Sequence, residues 1–370
     1  MNQIFIGLMS GTSLDGIDAA LVRFDLEAGR EVPVLLGFNY QPFSSALRNR
    51  LKTFCFAESV SLAEYGTLDG LMGQLFAEAA NGLIESSGLD RRLIRAIGSH
   101  GQTVYHQPEG HHPFSIQIGD PNRIAELTGI TTLADFRRRD LAAGGQGAPL
   151  TPAFHQAVFG SECENRAVVN IGGIANLTCL PADSALNTTG FDSGPGNTLL
   201  DFWVQQHLDQ AYDRNGEWGA SGQGSVALVN ELLADPYFAR SAPKSTGQEY
   251  FSARWLHSHL ERHEVSAVDV QASLLELTAR SIADALRVAM PDAGQVLLCG
   301  GGVHNLALVE RIRHRMKCSV VTTAHYGVDP DWVEAIAFAW LARQTLAGLP
   351  GNLPSVTGAR HPVVLGGIYP

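Results

Sequence analysis

A chain of 370 residues, of which 45% are apolar, is long enough to build two domains with cores of their own. The formal net charge of −11 argues against nucleic acid as a partner, because such binding needs clustered cations and only Arg137–Arg139 form a basic run. No stretch approaches the ~18 apolar residues of a membrane span, and the N-terminus lacks a signal-peptide pattern. Five cysteines without CxxC spacing indicate buried thiols, and we expect a cytoplasmic protein.

The N-terminal segment has the pattern of a strand, a polar turn and a second strand. Ile4–Met9 and Ile17–Phe24 are the predicted strands, and the turn is Ser10–Gly16, SGTSLDG. Its amides and hydroxyls can donate to phosphate oxygens, while Asp15 or Asp18 could hold a magnesium ion directly or through water. An ordinary hairpin with turn-forming residues is the alternative at this point.

The rest of the first half predicts alternating strands and helices. After a strand at 32–40 and helices near 44–54 and 62–86, a strand at 95–98 ends in the polar residues Ser99–Thr103. A parallel strand opens into a cleft at such a position. The next predicted elements are a strand at 115–118, a helix at 121–128 and a strand at 131–134.

Residues 135–150 change in composition from charged to glycine-rich to proline-containing, and this predicts a passage between two lobes. The predicted lobes are 1–135 and 136–349, with a tail of about 350–370 that packs back on the first lobe. The three arginines here have two interpretations: ion pairs with Asp135 and Asp140, or contact with an anionic substrate group.

A second strand-turn-strand pattern lies in the middle of the chain. Two apolar strands, 168–171 and 174–180, are joined by Gly172-Gly173, where the lack of a Cβ lets amides approach an anion. The string GFDSGPGN (190–197) predicts a tight loop that holds Asp192 and precedes a helix from Thr198. A phosphate and a proton acceptor fit this combination.

The C-terminal part predicts a loop at 213–224, a surface loop around Lys244, a helix over 271–289 and a strand at 295–299 that runs into Gly300–Gly302. An adenosine can lie flat against such a backbone. None of the lysines has the GK[ST] context of a Walker-type loop. A nucleotide would therefore be held mainly by backbone amides, a metal and arginine. Glu334 lies in the first turn of the last long helix, where its carboxylate suits the helix dipole.

Two glycine hairpins and a late GGG loop together resemble the sugar kinase and actin superfamily, and longer strings resemble the anhydro-N-acetylmuramic acid kinase family over essentially the whole chain. The strings are GLMSGTSLDGIDAAL (7–21), IGSHGQT (97–103), ADFRRRDLAAGGQGAPL (134–150), NIGGIAN (170–176), GFDSGPGN (190–197), PKSTGQE (243–249), CGGGVHN (299–305), WVEAIAFAWLA (332–342) and SVTGA (355–359).

The resemblance implies an α/β, two-lobed actin/hexokinase-like ATPase fold, with a mixed five-stranded sheet flanked by helices in each lobe and the active site in the interlobe cleft. It implies a homodimeric enzyme of peptidoglycan recycling that uses ATP, Mg²⁺ and water to convert 1,6-anhydro-N-acetylmuramic acid into N-acetylmuramic acid 6-phosphate. Open alternatives are a kinase of a neutral anhydro sugar such as levoglucosan and an actin- or chaperone-like ATPase.

The resemblance also implies residue roles. Asp192 matches the catalytic aspartate, while Asp15 and Asp18 stay the candidate Mg²⁺ ligands named above, directly or through water. The residues implied for ATP are Gly11, Thr12, Ser13, Leu14, Asp15, Gly16, Ile17, Asp18, Gly172, Gly173, Gly300, Gly301 and Gly302. The candidate contacts to the sugar are His100, Gln102 and Thr103 at the polar strand end, Arg138 in the arginine run, and Glu334, which could hold sugar or organise the cleft from the second lobe.

Overall fold

The computed structural model describes residues 3–27 and 30–370 of the chain. Up to residue 159 its elements are β1 (Gln3–Ser10), β2 (Gly16–Glu27), β3 (Arg30–Pro42), α1 (Ser45–Phe56), α2 (Leu62–Ser87), β4 (Ile94–Gln107), β5 (Phe114–Ile118), α3 (Pro121–Thr128), β6 (Thr132–Ala134), α4 (Phe136–Ala142) and α5 (Thr151–Phe159). From there on they are β7 (Arg166–Ile171), β8 (Ile174–Leu180), β9 (Thr189–Pro195), α6 (Thr198–Leu208), α7 (Glu217–Ser221), α8 (Val226–Leu233), α9 (Pro236–Ala239), α10 (Ala253–Leu260), α11 (Ala267–Ala289), β10 (Gln295–Cys299), α12 (Leu306–Arg315), β11 (Ser319–Thr322), α13 (Val333–Leu346), α14 (Pro354–Thr357) and β12 (Gly367–Tyr369).

These elements form two compact units, one made of residues up to 158 with 327–370, the other of 159–326. The boundaries differ from the predicted 135/136 and 349/350, because α4 and α13 pack on the first unit's sheet instead of joining the second. The C-terminal tail supplies β12, which pairs with β6.

Each unit contains one mixed sheet. In the first the strand order is β12-β6-β4-β1-β2-β3, with β5 paired to β4, and in the second it is β11-β10-β7-β8-β9. Both contain a meander of three antiparallel strands whose first strand then pairs in parallel with a later one, β1 with β4 and β7 with β10. The predicted α/β fold with a mixed sheet in each lobe is confirmed. The first sheet has seven strands and not five, because β5 and β12 extend it.

The helix α13 lies directly on β1 and β4 because two glycines face it. Gly7 and Gly98 are register partners in the parallel pair. A Cβ on Gly7 would overlap the carbonyl oxygen of Ala335, and one on Gly98 would overlap that of Phe338. The main chain of α13 therefore approaches the sheet more closely than any larger side chain would permit, and this fixes Glu334 at its first turn.

Several local predictions are wrong. Residues 190–197 were predicted as a tight loop, but pairing with β8 makes 189–195 a strand. Residues 214–216 form a 3-10 turn and 217–221 form α7, where a loop was predicted. The five cysteines are free, but only Cys179 and Cys299 are buried and Cys163 is exposed. No helix in the described ranges is long and apolar enough to span a bilayer.

Candidate active site in two glycine-hairpin units

The turn between β1 and β2 is exposed at Thr12 and Ser13. The amide of Leu14 donates to the Gly11 carbonyl at 3.3 Å, and Leu14 adopts a left-handed conformation with φ of 54°. Its side chain is buried in the first unit's core, whereas Thr12 and Ser13 are exposed. Within the described part of the chain, the amides of Thr12 and Ser13 donate no hydrogen bond. A buried leucine thus anchors a turn whose free N–H groups suit an anion.

The base of this hairpin is held by two residues that the sequence assigned to the sugar. Ser10 Oγ lies 2.7 Å from Gln102 Oε1, and Gln102 Nε2 donates to the Gly11 carbonyl at 3.2 Å. His100 Nδ1 lies 3.2 Å from the Ser10 carbonyl oxygen. Both side chains are buried. The structure therefore uses the polar groups of His100 and Gln102 to support the turn.

Arg137 fixes the tautomer of His100. Its Nη2 lies 2.8 Å from His100 Nε2 and its Nη1 donates to the Gly147 carbonyl at 2.8 Å. Since a guanidinium only donates, Nε2 accepts and Nδ1 carries the proton toward Ser10. Burial and the nearby Arg137 charge lower the pKa of His100 to about 3. His100 is therefore neutral, with both ring nitrogens used inside the protein. Sequence reasoning identified an arginine run but not Arg137 as its half-buried member.

Carboxylates gather beside the first hairpin. Burial, with repulsion from Asp15, Glu334 and Asp331, raises the pKa of Asp18 to about 7. Burial also raises the pKa of Glu334, and Arg137 opposes that shift. In the described ranges no group of three or more His, Cys, Asp or Glu side chains is arranged to hold a metal. A cation here would be bound by one or two carboxylates and would take its other ligands from phosphate and water, which is usual for Mg²⁺.

Arg138 lies apart from Arg137, in a cavity of about 530 Å³ within the first unit. Its guanidinium makes two contacts with the Asp135 carboxylate, Nε to Oδ1 at 2.7 Å and Nη2 to Oδ2 at 2.6 Å, while its side chain stays 66% exposed. His100 also lines this cavity, as do the polar residues Tyr65, Asp69, Ser115, Gln117 and Tyr369. Thr103 Oγ1 accepts a hydrogen bond from Gln117 Nε2 at 3.1 Å.

In the second unit, the turn between β7 and β8 is supported by hydrogen bonds from the residues that follow β9. The carbonyls of Gly172 and Gly173 accept from the amides of Asn197 at 2.8 Å and Gly196 at 2.9 Å. Among the described residues, neither glycine amide donates a hydrogen bond. A Cβ on Gly173 would come within 2.6 Å of Gln248 Nε2. These bonds use the carbonyls of Gly172 and Gly173, so among the described residues their amides stay available to a ligand.

Asp192 sits on β9 with one carboxylate oxygen engaged. The Thr246 amide donates to Oδ2 at 3.0 Å, while Oδ1 accepts no hydrogen bond from a described residue. Burial raises the pKa of Asp192 to about 6, against the opposing effects of the Thr246 bond and the Lys244 charge. Thr246 and Lys244 were not predicted as site residues. The string PKSTGQE (243–249) was the signal that could have found them.

The three glycines after β10 have different surroundings. A Cβ on Gly300 would overlap Asn170 Oδ1, and one on Gly302 would lie 2.6 Å from Ile171 Cβ. At Gly301 nothing lies within 4 Å of such a Cβ, and the residue is exposed. Gly300 and Gly302 are therefore needed for packing on β7, whereas Gly301 keeps a flat, open surface.

Comparison with known proteins gives the family. Residues 3–370 match the family model described as "Anhydro-N-acetylmuramic acid kinase". A relative of that name from Coxiella burnetii (strain RSA 493 / Nine Mile phase I) is 51% identical over 99% of this chain and 97% of its own. One from Xanthomonas axonopodis pv. citri (strain 306) is 53% identical over 100% and 98%. Among solved structures, component A of (R)-2-hydroxyglutaryl-CoA dehydratase from Acidaminococcus fermentans is 12% identical, with a TM-score of 0.48 over 93% of this chain and 99% of that one. On the strength of the family match over residues 3–370 and of the 51% and 53% identities, this chain belongs to the anhydro-N-acetylmuramic acid kinase family.

Proposed function

We propose that this protein transfers the γ-phosphoryl group of ATP to O6 of 1,6-anhydro-N-acetylmuramic acid while water opens the anhydro bridge, giving N-acetylmuramic acid 6-phosphate and ADP. Family membership supports the substrate, and its place would be in cell-wall recycling. The observation that carries the chemistry is the Asp192 carboxylate, which has Oδ2 fixed, Oδ1 open and a pKa near 6. Homodimer formation and a cytoplasmic location stay predictions from the family resemblance.

The mechanism needs one base because O6 of the anhydro sugar has no proton. Asp192 Oδ1 takes a proton from water, and the water oxygen forms a bond to C1. The C1–O6 bond breaks with its electron pair on O6, which then attacks the γ-phosphorus and displaces ADP. Strain in the bicyclic acetal assists the opening, and the proton on Asp192 returns to solvent after product release. A positioned base of this kind contributes on the order of 10²–10⁴-fold.

The two amide-rich turns would hold the phosphates of ATP in this proposal. The free N–H groups of Thr12, Ser13, Gly172 and Gly173 support it, because backbone donors of this kind stabilise charge on a transferring phosphoryl group. The chemistry of Asp15 and Asp18, hard oxygen donors beside such a turn, fits Mg²⁺. Bound there, the ion would neutralise phosphate charge. The proposed ATP contacts otherwise stay as assigned from the sequence, Gly11–Asp18 and Gly300–Gly302.

The open face of Gly301 gives a direct test of adenosine binding. Gly301→Leu should raise KM for ATP by about tenfold and leave thermal stability unchanged, because the added side chain enters free space where the nucleoside would lie. Gly300→Ala is the control: it should lower the unfolding midpoint, because its Cβ overlaps Asn170. Steady-state kinetics and thermal melts of both variants decide. An unchanged KM for ATP in Gly301→Leu would mean that adenosine binds elsewhere.

Arg138 is the arginine we assign to the lactyl carboxylate. Arg137 is engaged by His100 and Gly147, whereas the Arg138 guanidinium is exposed and already contacts one carboxylate, that of Asp135. Thr103 and Glu334 stay candidate sugar contacts, while His100 and Gln102 would act by supporting the hairpin.

We expect Arg138→Ala to raise KM for the muramic substrate by about tenfold and to leave KM for ATP unchanged. Arg139→Ala, in the next position of the same basic run, is the matched control and should alter neither constant. Initial rates against each substrate give both values. A rise below about twofold for Arg138→Ala would remove this assignment.

The pH dependence of kcat should follow the ionisation of the Asp192 carboxyl. Since the base must be ionised, kcat should fall as the pH drops through about 6, the pKa to which burial raises this carboxyl. The measurement is a profile of kcat from pH 5 to 8 in constant ionic strength with saturating substrates. A flat profile across this window would contradict the proposed base.

Product analysis tests the whole proposal. Incubation with Mg-ATP and the anhydro sugar in ¹⁸O-water should yield the 6-phosphate with label at C1. Label in inorganic phosphate instead would mean plain ATP hydrolysis, as expected for an actin- or chaperone-like ATPase. Equal turnover of levoglucosan, which lacks the lactyl carboxylate, would favour a neutral-sugar kinase.

A further inference from the structure

The main chain of Asp192 is held on both sides by segments outside its own sheet. Its amide donates to the Lys244 carbonyl at 3.0 Å, and its carbonyl accepts from the Tyr237 hydroxyl at 2.8 Å. Tyr237 is only 1% exposed, so this hydroxyl has a fixed direction. With Thr246 bound to Oδ2, three hydrogen bonds set the position of one carboxylate.

Lys244 connects these supports to each other. Its Nζ lies 3.3 Å from the Tyr237 carbonyl and 3.4 Å from that of Phe238, and 4.8 Å from the centre of the Tyr237 ring. The contacts therefore close a ring from Asp192 to Lys244, from Lys244 to Tyr237 and back to Asp192. Movement of any member would displace the carboxylate.

The short helix α9, which carries Tyr237, is itself fixed to the second unit. Asp235 Oδ1 accepts from the Tyr237 amide and from the Tyr250 hydroxyl, both at 2.8 Å, and Oδ2 accepts from Trp255 Nε1 at 2.8 Å. These bonds join α9 to the chain around residues 250–255. The residue that holds the Asp192 carbonyl thus lies on a helix that is itself hydrogen-bonded to the rest of the second unit.

The strand that carries Asp192 passes directly under this helix. A Cβ on Gly194 would lie 2.7 Å from Phe238 Cε1, and the φ of Gly194 is 153°. Glycine at this position allows β9 and α9 to approach closely enough for the Tyr237 hydroxyl to reach the backbone of Asp192.

We propose that Tyr237 and Lys244 are positioning residues that hold the Asp192 carboxylate with Oδ1 directed at the reacting water. The inference rests on the proposed function and deepens it. Neither side chain touches a reacting atom in this proposal; both act through Asp192. A displacement of about 1 Å of a catalytic group can cost on the order of 10²-fold in rate.

The two residues should differ in their effect on pH dependence. The charged or titratable groups near Asp192 are Lys244 and Tyr237, with Arg240 close to both of these. The Lys244 charge stabilises the Asp192 carboxylate, whereas Tyr237 is neutral across the assay range. Loss of the Lys244 side chain removes both a contact that positions Asp192 and a nearby positive charge. Loss of the Tyr237 hydroxyl removes only a positioning hydrogen bond.

The experiment compares Tyr237→Phe, Lys244→Met and Lys244→Arg in the full chain, with rates expressed per folded molecule from circular dichroism. Tyr237→Phe and Lys244→Met should lower kcat by about 10- to 100-fold and leave both KM values within about twofold. The acidic limb of the kcat profile should move to higher pH in Lys244→Met and stay in place in Tyr237→Phe. Lys244→Arg should return the acidic limb to its wild-type pH and should restore part of kcat.

Two matched variants control for loss of a hydroxyl or an amine elsewhere in the second unit. Tyr326→Phe removes a hydroxyl that donates to Gln295 Oε1 at 2.6 Å, and Lys317→Met removes an exposed amine. Both should retain wild-type kcat. Full kcat in Tyr237→Phe, or an unmoved limb in Lys244→Met, would overturn the inference while the wild-type activity still upheld the proposed function. Absence of sugar phosphorylation by the wild-type protein would overturn both.

Discussion

Asp192→Asn should lower kcat by about 10²–10⁴-fold while ATP and the anhydro sugar still bind. Asparagine has the same shape and can still accept the Thr246 amide hydrogen, so the geometry of β9 is retained. Its amide cannot take a proton from water, and ring opening and phosphoryl transfer both depend on that proton. The loss should lie toward the upper end of the range, because one base supports two coupled bond changes.

Single-turnover kinetics and calorimetric titration of each substrate measure the rate and the binding separately. Asp269→Asn is the matched control, since Asp269 lies in the same unit and also accepts a backbone amide hydrogen, from Gln223 at 2.6 Å. It should keep wild-type turnover. Near-normal turnover of Asp192→Asn would remove Asp192 from the base role, and weak binding in that variant would assign the residue to substrate recognition instead.

The local pattern of the sequence predicted the two glycine hairpins well, because apolar runs and the small polar or glycine residues between them are short-range signals. The strands before and after Ser10–Gly16 and Gly172-Gly173 lie where the apolar runs placed them. The same reasoning failed at GFDSGPGN. Three glycines and a proline favour a turn, but pairing with β8 overrides that preference and extends the segment as a strand.

The roles of His100 and Gln102 could not be read from the sequence either. A polar strand end indicates a cleft, but whether its side chains face a ligand or the neighbouring turn depends on the β1–β4 register, which brings Ser10 beside Gln102. The predicted lobe boundary differs from the observed one for the same reason. The composition of residues 135–150 resembles a linker, yet α4 lies within the first unit and its Arg137 contacts His100. Contacts between residues far apart in sequence decided each of these points.

Gly7→Ala should be the most damaging single-methyl change in the first unit, lowering the free energy of unfolding by about 3 kcal/mol. The new Cβ would overlap the Ala335 carbonyl oxygen and lie 2.8 Å from the Ala339 amide nitrogen, both in the main chain of α13. Backbone atoms inside a helix cannot rotate away as a side-chain end can, so helix and sheet must separate. The displaced helix would also carry Glu334 away from Asp18.

The same substitution at Gly66 gives the opposite sign and serves as the control. Gly66 lies in α2, is exposed, and has nothing within 4 Å of the position that a Cβ would take. Gly66→Ala should raise the free energy of unfolding by about 0.5–1 kcal/mol, because alanine loses less backbone freedom in a helix. Urea denaturation of both variants, followed by circular dichroism, separates the outcomes. Equal stability of the two variants would mean that α13 does not press on β1, and the placement of Glu334 beside the first hairpin would lose its physical basis.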